Sequence, residues 1–207
     1  MTCRAPQGVG TSITIQALVA SQGGPSMQTA SYLAPTISRL SPQVVNTYGN
    51  SPITIQGKSF GYFDASAVIT VGRSLCSPTA YTSDSSLRCR VQSGAGAALN
   101  VSVQIGNQVS TAFGIFSYLP PQLSDASPRV LNTTGGVLTV TGQNFGYAIQ
   151  DQRVFVGSTV CSSASPSPWI SGHSESDSLT FFCVESKTSS VQTRLCPALC
   201  PKVLETT

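Results

Sequence analysis

Thr54-Ile55-Gln56-Gly57-Lys58-Ser59-Phe60-Gly61-Tyr62 decides the fold, because the chain writes it a second time as Thr139-Val140-Thr141-Gly142-Gln143-Asn144-Phe145-Gly146-Tyr147. Phe60 and Phe145 stand 85 residues apart, and the offset holds on both sides. Val71-Gly72 and Cys76 return as Val156-Gly157 and Cys161, again 85 apart. Upstream, Leu40-Ser41-Pro42 returns as Ala126-Ser127-Pro128, 86 apart. Landmarks that keep one offset to within a residue mark an internal repeat, and such periods are sought before any other feature. The offset also runs backwards. Cys89-Arg90, Gly94-Ala95-Gly96, Leu99 to Ile105 and Phe116-Ser117-Tyr118-Leu119 match Cys3-Arg4, Gly8-Val9-Gly10, Ile13 to Val19 and Ala30-Ser31-Tyr32-Leu33. The chain therefore opens in the second half of a unit.

Each unit reads as β structure. Ile53-Thr54-Ile55-Gln56 and Val137-Leu138-Thr139-Val140-Thr141 are short and largely β-branched. Leu99-Asn100-Val101-Ser102-Val103-Gln104-Ile105 alternates strictly, so one face is buried and the other wet. Gly106-Asn107 follows as a hairpin turn before Gln108-Val109-Ser110. No stretch combines a helical period with caps. Short strands punctuated by Gly and Pro, in units of about 85 residues, predict all-β sandwiches of the immunoglobulin-like class. Gly57 and Gly142 are expected to close a strand before the Phe-Gly-Tyr loop, and Gly61 and Gly146 to supply its positive φ. Phe60 and Phe145 are expected to plug the open end of each sandwich.

Composition narrows the function. Of 207 residues only 9% are charged, against about 25% in an ordinary soluble protein. Ser and Thr fill about a quarter of the chain and do the solvating instead. Formal net charge is +3, and Arg4, Arg39, Lys58, Arg73, Arg129 and Arg153 are scattered singly. Nucleic-acid binders cluster such residues, so no nucleic-acid partner is expected. Arg88 and Arg90, either side of Cys89, read as outward residues flanking a buried one. No apolar run approaches the roughly 20 residues of a membrane helix. Met1-Thr2-Cys3-Arg4 has no apolar leader core. Any membrane attachment is expected in parts of the protein outside this chain.

The inventory of chemistry is thin. His173 is the single histidine and stands in a polar stretch, Ser171 to Ser176, where a solvated loop position is expected rather than a catalytic base. Asp64 and Asp151 follow the two Phe-Gly-Tyr triplets, a repeated place that suggests a loop-structural role. Cys196-Pro197-Ala198-Leu199-Cys200 lacks the further convergent ligands of a zinc site. No catalytic residue, metal or cofactor is expected, and the chain is expected not to be an enzyme.

In combination the repeated motifs resemble the IPT/TIG family (immunoglobulin-like, plexin, transcription factor). In the first unit they are Pro35 to Pro42, Thr47-Tyr48-Gly49-Asn50, Gly57 to Gly61 and Ile69 to Gly72. In the second they are Pro121-Gln122-Leu123, Ser127-Pro128, Thr134-Gly135-Gly136, Gly142 to Gly146 and Val154 to Gly157. The resemblance implies tandem immunoglobulin-like β-sandwiches of the E-set type. It divides the chain into a C-terminal half unit (1–33), a complete unit (34–119), a second unit with an irregular or incomplete end (120–195) and a tail (196–207). Extracellular members of the family, of the plexin and fibrocystin kind, carry a disulfide from the Val-Gly-x-x-x-Cys position to a following strand. With the repeat symmetry, that implies Cys76–Cys89 and Cys161–Cys183, leaving Cys3 to a partner upstream. Disulfides used this way imply an oxidising compartment, at the cell surface or outside the cell.

Two sequons, Asn100-Val101-Ser102 and Asn132-Thr133-Thr134, fall at expected exposed positions and fit a glycoprotein. Trp169, the single Trp, lies in Pro166-Ser167-Pro168-Trp169-Ile170 and is a candidate partner contact. The expected function is adhesion, recognition of a protein or glycan ligand, or spacing of neighbouring repeats. Two alternatives remain: a Rel-like intracellular DNA-binding or dimerisation domain, and an accessory domain of a carbohydrate-active enzyme. Adjacent Phe181 and Phe182 would face opposite sides of a strand, which gives the second alternative no aromatic platform.

Overall fold

The computed structural model describes residues 2–24, 28–146, 152–161, 163–166 and 177–183, the last two stretches and Gln28 by backbone alone. All described elements are strands. Ahead of the first matched repeat, β1 (Ile13–Ile15) pairs antiparallel with β4 (Gln28–Ala30), and β2 (Leu18–Val19) with β3 (Gln22–Gly23). Ile15, Leu18, Val19 and Leu33 are exposed there.

The first full unit contains β5 (Thr36–Ser41), β6 (Val44–Val45), β7 (Ser51–Lys58), β8 (Val68–Val71), β9 (Ser74–Leu75), β10 (Thr79–Ser83), β11 (Ser86–Val91), β12 (Leu99–Ile105) and β13 (Gln108–Tyr118). They form a four-stranded sheet in the order β10-β11-β7-β5 and a five-stranded sheet in the order β6-β13-β12-β8-β9. Alternation drives this arrangement. In β11, Leu87, Cys89 and Val91 turn inward while Arg88 and Arg90 face solvent; in β12, Val101, Val103 and Ile105 are buried. These residues meet Ile53, Ile55, Ile69, Val71 and Phe116 in one core. Burying each such side chain contributes about 1.5–3 kcal/mol. Gly106 takes a φ of 57° in the two-residue turn from β12 to β13, the conformation that a tight hairpin needs at its first central residue.

Cys76 and Cys89 are joined by a disulfide buried at the edge of that core. It ties the segment after β9 to β11, and hence one sheet to the other. Closing this short loop stabilises by about 2–4 kcal/mol.

The second unit repeats the plan. It contains β14 (Gln122–Ser127), β15 (Gly136–Gln143), β16 (Phe155–Val156), β17 (Thr159–Val160), β18 (Ser163–Pro166) and β19 (Asp177–Cys183). The sheet order β14-β15-β19-β18 corresponds strand for strand to β5-β7-β11-β10. The β16–β17 pairing, Phe155 with Val160 and Val156 with Thr159, reproduces Thr70 with Leu75 and Val71 with Ser74. Even the Cys161 amide donates to the Val154 carbonyl at 2.8 Å, as Cys76 does to Ile69 at 2.8 Å. Leu138, Val140 and Cys161 form the buried centre of this unit. Leu119-Pro120-Pro121 joins β13 to β14.

Candidate functional site: the joint between successive units

The loop carrying Phe60 and Gly61 faces Val9, and the segment carrying Phe145 and Gly146 faces Gly94 and Ala95. Gly57 and Gly142 permit its approach. A Cβ on Gly57 would fall onto the Thr36 carbonyl oxygen and 2.5 Å from the Phe60 ring, and one on Gly142 onto the Gln122 carbonyl and 2.7 Å from the Phe145 ring. Both glycines lie inside strands, so their task is close packing as well as strand ending. Phe60 is fully buried and plugs its sandwich; Phe145 is half-buried. Gly61 and Gly146 have φ values of 102° and 79°, the region that L side chains avoid. Asp84 pins the first loop: its carbonyl accepts the Phe60 amide at 2.9 Å and its Oδ1 the Gly61 amide at 3.0 Å. The Tyr81 hydroxyl donates to the Gly61 carbonyl at 2.8 Å.

Against each loop lies a tyrosine clasp. Tyr32 donates to the Pro6 carbonyl at 2.7 Å, and Tyr118 to that of Gln92 at 2.8 Å. The amides of the same tyrosines donate to Gly10 and Gly96 at 2.9 and 2.8 Å. Gly8 and Gly94 leave room for the two rings. The clasp sets Val9 against Gly61, where a Cβ would lie 3.0 Å from Val9 Cγ1, and Ala95 against Gly146, at 3.1 Å from the Ala95 Cβ. One head-to-tail contact is thus built twice from equivalent residues.

The first joint carries extra polar ties. Asn107 clamps the Thr11 peptide, accepting its amide through Oδ1 at 2.8 Å and donating through Nδ2 to its carbonyl at 3.1 Å. Gln108 Nε2 donates to the Tyr32 carbonyl at 3.0 Å. A cleft remains beside each joint. At the first it measures about 240 Å³, between Val9, Tyr32, Leu33, Ser59 and Gly61. At the second it widens to about 750 Å³, walled by Leu119, Pro120, Pro121, Leu123, Phe145 and Val154.

The residues singled out from sequence lie elsewhere. Asn100 and Asn132 are exposed, as expected. Asn100 faces the bulge in β13, and its Oδ1 accepts the Gly114 amide at 3.0 Å. Asp64 accepts the amide of Ser66 at 2.9 Å, a local turn contact. Cys3 is a free, exposed thiol, and Cys161 is disulfide-bonded. The side chain of Cys183, together with Asp151, Trp169, His173, Cys196 and Cys200, lies outside the described residues. Among the described residues no three His, Cys, Asp or Glu side chains converge into a metal site. Sequence reasoning did not single out Asn144, Gln152 or the clasping tyrosines. Tyr32 and Tyr118 were visible only as matched repeat letters.

Comparison with protein families matches the IPT/TIG domain to residues 35–118 and again to 121–193. Among solved structures, the full extracellular region of plexin A4 (domains 1 to 8) is 20% identical, with 75% of this chain and 16% of that chain covered at a TM-score of 0.38. SGBP-B, from a complex xyloglucan utilization locus in Bacteroides uniformis, is 18% identical, with 73% of this chain and 43% of that chain covered at a TM-score of 0.33. The chain spans less than half the length of either.

Proposed function

Because the chain belongs to the IPT/TIG family, with two tandem domains matched over most of its length, we propose that it is a non-catalytic adhesion, ligand-recognition or spacer module of a cell-surface or secreted multidomain protein. The observation that carries this reading is the twice-built joint, the Tyr32–Pro6 and Tyr118–Gln92 clasps set against Gly61 and Gly146. A contact repeated from unit to unit seats each sandwich on the next in a fixed direction, which suits an array that presents or separates binding surfaces. On this reading residues 1–33 are the second half of a unit, 34–119 and 120–195 are consecutive units and 196–207 a tail. Its partners are neighbouring repeats and a protein or glycan ligand. The buried Cys76–Cys89 disulfide supports an oxidising, extracellular setting.

Non-reducing peptide mapping of protein from its native source tests the proposal. The expected result is Cys76 linked to Cys89 and Cys161 to Cys183. Seven free thiols would overturn the extracellular reading.

A further inference from the structure

The larger cleft holds hydrogen-bonding groups that the protein itself leaves unused. Gln152 is fixed in orientation, because its Nε2 donates to the carbonyls of Phe145 at 2.6 Å and Gly146 at 3.3 Å. That leaves Oε1 as a pure acceptor, buried and without a partner. Such an atom gives up its bonds to water and gets nothing in return. Asn144 stands beside it on the same cleft wall. It is only 8% exposed, and its carboxamide makes no hydrogen bond to any described residue. Its backbone sits at a φ of 62°, a conformation that Asn adopts more readily than most residues. Its counterpart in the first joint, Ser59, has a φ of 61° and lines a cleft only a third as large. The second joint therefore combines a buried acceptor, an unpaired carboxamide on a mostly buried residue and a cavity of about 750 Å³. Small-molecule sites have this size and makeup, apolar walls with a few convergent polar groups, and they form preferentially where domains meet.

The geometry points to a binding site in the cleft between the two units for a small, largely apolar organic molecule that carries an N–H or O–H donor. The donor answers Gln152 Oε1, and a neighbouring polar atom answers the Asn144 amide. The apolar body lies against Leu119, Pro120, Leu123 and Val154. The walls discriminate against sugars, whose many hydroxyls would stand unpaired against proline and leucine. Arg153, at the rim, is the one charged side chain among the described lining residues and tolerates an anionic group. The inference goes beyond the spacer reading, since a spacer needs no cleft. Cysteine mapping and ligand titration also fail independently.

The test is titration of the whole chain with 8-anilinonaphthalene-1-sulfonate, whose rings are apolar and whose bridging amine donates one N–H. One saturable site is expected. Gln152→Leu removes the acceptor. Asn144→Gly removes the amide while keeping the positive φ. Each should weaken binding about three- to ten-fold, the worth of one hydrogen bond. Ala97→Trp, filling the cleft from the side of the first unit, should abolish the site. Leu18→Ser, in the exposed half unit, should leave it unchanged. Variants are compared at equal folded fraction, read from their unfolding curves. Absence of a saturable site, binding that survives Ala97→Trp, or loss with Leu18→Ser overturns the inference. So does displacement of the probe by a neutral oligosaccharide.

Discussion

The Tyr118 hydroxyl donates to the Gln92 carbonyl at 2.8 Å and closes the end of β13 over the segment that follows β11. Its ring meets Phe116 edge-on, with centroids 5.2 Å apart. Burial raises the Tyr118 phenol above its ordinary value of 10.0. A phenol raised on folding contributes stability that is complete below the unfolded value and declines as pH climbs past it. Tyr118→Phe should therefore lower stability by about 0.5–1.5 kcal/mol at neutral pH and should flatten the loss of stability above pH 10. Denaturant melts of the two proteins between neutral and alkaline pH check both effects. Equal alkaline slopes would show that the phenol is not coupled to folding.

Thr47 is 1% exposed and its Oγ1 has no hydrogen-bond partner. The Thr47 carbonyl is in use, accepting the Gly94 amide at 3.0 Å. Thr47→Val keeps the shape and removes the unsatisfied hydroxyl. It should raise stability by about 1 kcal/mol, read as a higher midpoint in urea with an unchanged slope.

Gly57→Ala should be costly without any change in backbone preference, because the new methyl meets the Thr36 carbonyl and the Phe60 ring. Overpacking of this kind costs about 1–3 kcal/mol. Gly24→Ala, with open space around it, should stay within about 0.5 kcal/mol. The difference between the two unfolding free energies is the measurement. Equal values would mean that the β5–β7 approach is looser than the structure has it.

Glycosylation is expected at both sequons when the chain passes through a eukaryotic secretory pathway. Asn100 spends its Oδ1 on the Gly114 amide, and Asn132 is exposed. Asn100→Gln and Asn132→Gln should each remove one glycan, seen as a stepwise mass change after enzymatic deglycosylation controls. Asn100→Gln should also loosen the bulge that Gly114 forms at a φ of 66°. A wild-type chain with no glycan would leave Asn100 with only this bulge contact to explain it.

Much of the fold was legible because repetition reports on physics twice. The inward set of Val101, Val103 and Ile105, the outward Arg88 and Arg90, and the positive φ of Gly61 and Gly146 all follow from alternation or from the demands of a turn. The Cys76–Cys89 bond followed from the family resemblance. The joint was not legible. Asn107 and Thr11 are 96 positions apart, and no local pattern states that they meet. Gly57 was half legible: a glycine in a strand signals an irregularity, but only the neighbouring Thr36 carbonyl shows why. Asn144 lies within the repeated motif. Its one sequence-level signal is that it replaces Ser59 beside a phenylalanine kept in both units.

Leu119-Pro120-Pro121 does more than connect β13 to β14. Consecutive sandwiches this alike are prone to cross-pairing while they fold, a strand of one unit being taken up by its twin in the next. Neither proline has an amide hydrogen to continue a ladder. A hairpin growing along β13 therefore meets a stop before it reaches β14, and the boundary between two look-alike units is written into the covalent backbone.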